Sequence, residues 1–153
     1  MPCPVRGHRS EEQPKAAKRT DGRWNQKGIP VVYTSATRAL ACLETVTHLN
    51  AGGLSLNRYL VAVTIQDDVW AKAWHESASS LPVGWDAEPP GRASIEFGTD
   101  WIRSGGSAVL VVPSVIVPEE LNVLTNPQHL AGSGIAAMKV RRWLYDPRLM
   151  KAV

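Results

Sequence analysis

The sequence predicts a single α+β domain, with β-strands gathered around one or two central helices. Three observations predict it. The chain has 153 residues, which suits one domain with a core of its own. Hydrophobic residues make up 44% and charged residues 20%, a globular balance. Short β-branched runs are interspersed with helical periodicity, and no internal repeat appears.

The elements follow in order. Residues 1–20 lack periodicity and read as a flexible basic arm, with the domain proper spanning 21–153. Asp21-Gly22 and Gly28-Ile29-Pro30 mark turns. Val31–Ser35 is a strand, and Ser35 is placed to cap a helix beginning near Ala36. Ala36, Leu40, Leu43, Val46 and Thr47 sit at helical spacing, with Gly52-Gly53 past the helix end. Tyr59–Ile65 is nearly continuous in apolar or β-branched residues, as in a strand buried on both faces. Val69–Ser77 is expected to be a short helix, Leu81–Gly91 a loop and Asp100–Ser104 a helical turn ending at Gly105-Gly106. Ala108–Val112 is expected to be a buried strand, Pro113–Pro127 irregular chain and Ala136–Tyr145 the last strand.

Composition excludes several function classes. No apolar run approaches the roughly 18–20 residues of a membrane helix, and no secretory h-region is seen. Cys3 and Cys42 cannot build a disulfide framework or a four-thiolate metal site, and a reducing cytoplasm is the expected setting. His8, His48, His75 and His129 are scattered, so no metal site is expected. The net charge of +3 is uneven: residues 1–30 hold seven of the 17 basic and three of the 14 acidic residues, giving +4 there and −1 over residues 31–153. The basicity belongs to the arm and argues against a dedicated nucleic-acid groove.

Walker, G-x-G-x-x-G, H-E-x-x-H and G-x-S-x-G motifs are all missing. The informative stretch is Gly22–His48. Arg23 lies in a turn before a strand that carries Tyr33 and Ser35. Glu44 follows two turns into the helix, with Leu40 four residues before it and His48 four after. A carboxylate beside apolar neighbours either escapes to solvent at the helix edge or is held in a site, where with a loop arginine it can bind a polar cofactor. Each residue also has a plainer reading: Arg23 as an ordinary turn residue, Tyr33 as core, and His48 as a helix C-terminal charge or partner of Glu44. Ser114 can simply satisfy a turn, and Asn122 and Asn126 suit turns.

Several segments together resemble the RES domain, the toxin family of RES–Xre toxin–antitoxin pairs. They are Gly22-Arg23-Trp24-Asn25-x-x-Gly28, Val32-Tyr33-Thr34-Ser35, Ala39-Leu40-Ala41-x-Leu43-Glu44 and His48-Leu49. In the second half Gly98-x-x-Trp101, Val112-Pro113-Ser114, Pro118-Glu119-x-x-Asn122, Asn126-Pro127-x-His129 and Tyr145-Asp146-Pro147-Arg148-Leu149 continue the likeness, so it runs from about Asp21 to Leu149.

The resemblance implies a fold like that of ADP-ribosyltransferase toxins and an enzyme that consumes NAD by hydrolysis or phosphorolysis, or that ADP-ribosylates a protein. It maps the family's arginine and glutamate to Arg23 and Glu44, and its serine to Ser114, with Ser35 as the alternative. Arg23, Tyr33 and Glu44 are the implied catalytic residues. Ser35, His48, Ser114 and Asn126 join them as implied NAD contacts, with no metal. The implied partner is an Xre-type helix-turn-helix antitoxin, through which alone nucleic acid is reached. A degenerate, non-catalytic protein that still binds such an antitoxin is the other possibility. Family members begin with a strand before the Gly-Arg-Trp segment; here that strand is either short, around Pro4–His8, or missing.

Overall fold

The computed structural model describes residues 4–10, 22–48 and 58–150. The α+β expectation holds: among the described residues two β-sheets are accompanied by two well-formed helices and several short turns. The first sheet has the order β1-β3-β7, from Pro4–Ser10, Arg58–Ile65 and Ile135–Trp143, all antiparallel. The second has the order β2-β6-β5-β4. Its strands are Val32–Ser35 (β2), Leu121–Thr125 (β6), Val109–Pro113 (β5) and Trp74–His75 (β4), with only the β4–β5 pair parallel.

Alternation along β5 and β6 divides the core in two. Val109, Val111 and Val123 pack with Val63 and Ile65 of β3, between the sheets. Leu110, Val112 and Leu124 point the other way, onto Trp24, Val31, Leu81, Trp85 and Trp101. All five residues of β5 are therefore buried, as its continuous apolar run requires. Helix α3 (Arg92–Ser104) covers this second face through Trp101 and ends at Gly105, which adopts the left-handed conformation (φ 63°).

Helix α1 (Arg38–His48) follows β2 directly and lies against β1 and β2, with Leu40 and Ala41 buried. Its N-cap is Thr37 and not Ser35 as expected. Thr37 Oγ1 accepts from the Leu40 amide at 3.1 Å, whereas the Ser35 hydroxyl is turned to Asn122.

Other expectations are corrected. Within the stretch read as an arm, the short first strand placed around Pro4–His8 as one of two alternatives is present as β1, paired with β3 from Pro4↔Thr64 to Ser10↔Arg58. Residues 11–20 and the Gly52-Gly53 helix stop lie outside the described residues. Val69–Ser77 is not one helix: a four-residue helix, α2 (Asp67–Trp70), gives way to β4, because Trp74 and His75 pair with Leu110 and Val111. Pro113–Pro127 is not irregular throughout, since β6 lies within it between β2 and β5. The turn at Asp100–Ser104 is the last part of α3. β3 is buried at Leu60, Val63 and Ile65 but not along both faces.

Candidate active site

The ends of three strands bring one polar cluster together. Register places Ser35 of β2 opposite Asn122 of β6, and Asn122 opposite Val112 of β5, so Ser114 follows just past the β5 end. Glu44 reaches this edge from α1 and is half-buried there. Its Oε1 accepts from Ser114 Oγ at 2.8 Å and from Asn122 Nδ2 at 2.7 Å. Asn122 Oδ1 in turn accepts from Ser35 Oγ at 2.7 Å. Ser114 Oγ also accepts from the amides of Ile116 and Val117, at 3.1 and 3.2 Å. Those amides occupy its lone pairs and leave its single proton for the carboxylate. Both donors fall on one oxygen of Glu44. Among the described residues no hydrogen bond reaches Oε2, so the two donors on Oε1 fix the rotamer of the carboxylate.

A second cluster forms around Arg23. Gly22 and Asn25 bridge a tight turn, and the Tyr33 hydroxyl plugs into it. That hydroxyl donates to Asn25 Oδ1 and accepts from the Trp24 amide at 3.1 Å. Gly22 is required here, because a Cβ would lie 2.9 Å from Tyr33 Cζ. The Trp24 ring stacks on Trp85 at 6.2 Å in the core. Arg23 points instead to the loop that begins at Leu81. Its Nη1 donates to the carbonyls of Trp85 (3.1 Å) and Ala87 (2.7 Å), and its Nη2 pairs with Glu88 at 2.7 Å. The Arg23 side chain is only 14% exposed.

The structure thus groups Glu44 with Ser114 and Ser35, through Asn122, and Arg23 with the Tyr33 turn. No hydrogen bond joins Arg23 to Glu44. What relates the two clusters is β2: Tyr33 and Ser35 are alternate residues on one face, roughly 7 Å apart along the strand. Tyr33 itself is 40% exposed. His48 stands aside, exposed in the last turn of α1, with Nδ1 2.6 Å from the Glu44 backbone carbonyl and no contact to its carboxylate. Asn126 lies at the opposite end of β6 from Asn122. With Tyr33 it lines a cleft of about 270 Å³ between the two sheets, walled by Val61, Val63 and Ile135 among others. Arg23, Ser35, Glu44, His48 and Ser114 do not line that cleft.

The residue that sequence reasoning left as a turn former is Asn122. Its role is visible only in the register that sets it between Ser35 and Glu44. Trp24 and Trp101 prove to be core, at 3% and 1% exposure.

Burial of its hydroxyl pushes the Tyr33 phenol above its ordinary value of 10, opposed by the Trp24 amide and the Arg23 charge. Folded Tyr33 therefore keeps its proton where unfolded Tyr33 loses it. Its contribution to stability is complete below pH about 10 and declines as pH rises further. Tyr145 is shifted the same way by burial. Thermal melts between pH 8 and 11 are expected to fall on the alkaline side, and Tyr33→Phe is expected to flatten that fall. An unchanged slope in Tyr33→Phe would place the titration elsewhere.

Among the described residues, no helix is long and apolar enough to cross a membrane. A family model described as RES domain matches residues 5–146, beginning inside β1. A protein of Sphingobium sp. (strain YBL2) named Prs ADP-ribosylating toxin is 59% identical over 135 residues, covering 88% of this chain and 84% of that protein. A protein of Yersinia enterocolitica named Toxin Res is 31% identical, with 84% and 83% covered. Another Toxin Res, from Photorhabdus laumondii, is 36% identical over 72% of this chain and 69% of its own. With a family match over most of its length and relatives at least 31% identical over 72–88% of the chain, the chain belongs to the RES domain family.

Proposed function

We propose that the protein is a toxin that cleaves the nicotinamide–ribose bond of NAD. The observation that carries this reading is Glu44, a half-buried carboxylate held in one rotamer by Ser114 and Asn122, both on the same oxygen. Cleavage breaks the C1′–N bond, and its electron pair leaves with the pyridinium nitrogen as neutral nicotinamide. Positive charge then grows on the ribose. A carboxylate already fixed beside it stabilises that charge more than it stabilises the ground state. The leaving group needs no proton, so a second catalytic acid is not required.

The other roles follow from position. The Tyr33 ring offers a face to the pyridine, and the Arg23 guanidinium offers a fork to the pyrophosphate that Lys would not reproduce. Ser114 and Ser35 both serve Glu44, Ser114 directly and Ser35 through Asn122. His48 steadies the end of α1, and Asn126 belongs to the cleft side of Tyr33. The ribosyl cation is captured by water or phosphate. A second reading, transfer to a protein, is favoured by the name of the 59% identical relative. The proposed partner is an antitoxin of the Xre helix-turn-helix type, and the proposed setting is the cytoplasm, where NAD is consumed.

Purified chain incubated with NAD is expected to release nicotinamide. Adding cell lysate and NAD labelled in the adenylate separates the acceptors, because a labelled protein band marks ADP-ribosylation and free ADP-ribose marks hydrolysis. A folded chain that releases no nicotinamide under either condition, and arrests no growth when expressed alone, would be the non-catalytic relative instead.

A further inference from the structure

Arg23 is nearly enclosed, yet one of its partners is not. The guanidinium is tied to two backbone carbonyls, of Trp85 and Ala87, and to one carboxylate, of Glu88. The carbonyls belong to a loop whose base is fixed, since Trp85 is 7% exposed and stacked on Trp24. They hold Nη1 in place and cannot leave without moving the loop. Glu88 is different. Its side chain is 75% exposed, it sits in the exposed run from Asp86 to Pro90, and it meets Nη2 with a single oxygen at 2.7 Å. An exposed, single-oxygen ion pair is weak and exchanges readily for a better anion.

We infer that Glu88 is a built-in competitor for the anionic portion of the substrate: it occupies the Nη2 edge of Arg23 until a pyrophosphate displaces it. This rests on the proposed reading of Arg23 as the pyrophosphate contact. With both Nη1 protons kept by the two carbonyls, the Nη2 and Nε protons remain, and two oxygens of a pyrophosphate can engage that edge where Glu88 engages it with one. The displaced carboxylate swings into solvent, where it is already mostly hydrated, so the exchange needs no rearrangement of the Trp85 anchor. The consequence is a raised substrate requirement in the wild type. Glu88 thereby sets the NAD concentration at which the enzyme becomes active, without touching the bond that breaks.

The test compares Glu88→Gln, Glu88→Lys and Asp86→Asn in the full chain. It measures KM and kcat for NAD and, independently of turnover, ADP-ribose binding by calorimetry. Glu88→Gln is expected to lower KM and the ADP-ribose Kd by roughly two- to fivefold, with kcat changed less. Glu88→Lys is expected to lower both further. Asp86→Asn removes the same charge from the same loop without removing an Arg23 partner, and is expected to do less than Glu88→Gln. An unchanged or raised KM in Glu88→Gln would overturn the inference and make Glu88 an orienting residue. An equal effect of Asp86→Asn would overturn it in favour of general repulsion by the loop. Wild type that neither turns over NAD nor binds ADP-ribose would overturn the proposed function itself, and this inference with it.

Discussion

Glu44→Gln is expected to reduce nicotinamide release by roughly 100-fold or more, while the protein melts close to the wild type. The substitution keeps the size and planarity of the side chain. The amide oxygen can still accept from Ser114 Oγ and Asn122 Nδ2, the two donors that now meet at Oε1. What is lost is the negative charge that faces the developing ribosyl cation. The deficit should appear in kcat and kcat/KM together, because the interaction matters in the transition state far more than in the bound substrate. Asn122→Ala tests the same device from behind. It removes one donor to Glu44 and leaves the Ser35 hydroxyl without its acceptor, so the carboxylate loses its fixed rotamer. Its effect on kcat is expected to be roughly tenfold, and to vanish in a Glu44→Gln background, because a positioning residue has nothing left to position. Equal turnover by wild type and Glu44→Gln would remove Glu44 from the chemistry. Additive losses in the double variant would show that Asn122 acts on something other than Glu44.

The local signals that carried the sequence reading were strong apolar runs and turn residues. They located β2, β3, β5, β7 and α1 to within a few residues. Elements defined by partners carry no such local signal. β6 contains Asn122 and Thr125 between turn-like flanks and owes its strand state to pairing on both sides, with β2 and β5. β4 is two residues long and exists because Trp74 and His75 find Leu110 and Val111. The first half of α3 was hidden by Gly98 and Thr99, poor helix formers placed there for reasons outside the helix. The candidate site divides along the same line. Arg23, Tyr33 and Glu44 stood out through their neighbours in sequence and through a family resemblance. That Glu44 is held by Ser114 and Asn122, and that Arg23 is held by the Trp85–Glu88 loop, are contacts across 62 to 78 positions of chain. No periodicity encodes them. Ser35 shows the limit clearly: its position before a helix suggests a cap, but the amide oxygen of Asn122, directly opposite on the adjacent strand β6, is the better partner, and Thr37 takes the cap.

Gly98→Ala is expected to destabilise the protein by about 1–3 kcal/mol, roughly 3–10 °C in a domain of this size, and to raise KM for NAD. An alanine inside a helix would ordinarily stabilise it. Here a Cβ would overlap the Trp24 carbonyl oxygen and lie 2.7 Å from the carbonyl carbon. That contact is backbone, so no rotamer change relieves it, and either α3 or the Trp24 turn has to move. The turn is held to the same helix a second time, since Thr99 Oγ1 accepts from the Gln26 amide at 3.1 Å. Helix α3 therefore serves as the template on which Gly22–Gln26 is laid down. Any displacement is transmitted to Arg23, one residue before Trp24, and to the Tyr33 hydroxyl that accepts the Trp24 amide. Gly105→Ala provides the comparison. It strains the left-handed residue at the end of the same helix, at φ 63°, but its Cβ would meet nothing within 4 Å. Its cost is expected to be about 1 kcal/mol, with KM unchanged. Melting of Gly98→Ala at the wild-type temperature would mean that the close approach of helix and turn does not exist in solution. A lower melting temperature with an unaltered KM would mean that α3 supports the core but does not set the place of Arg23.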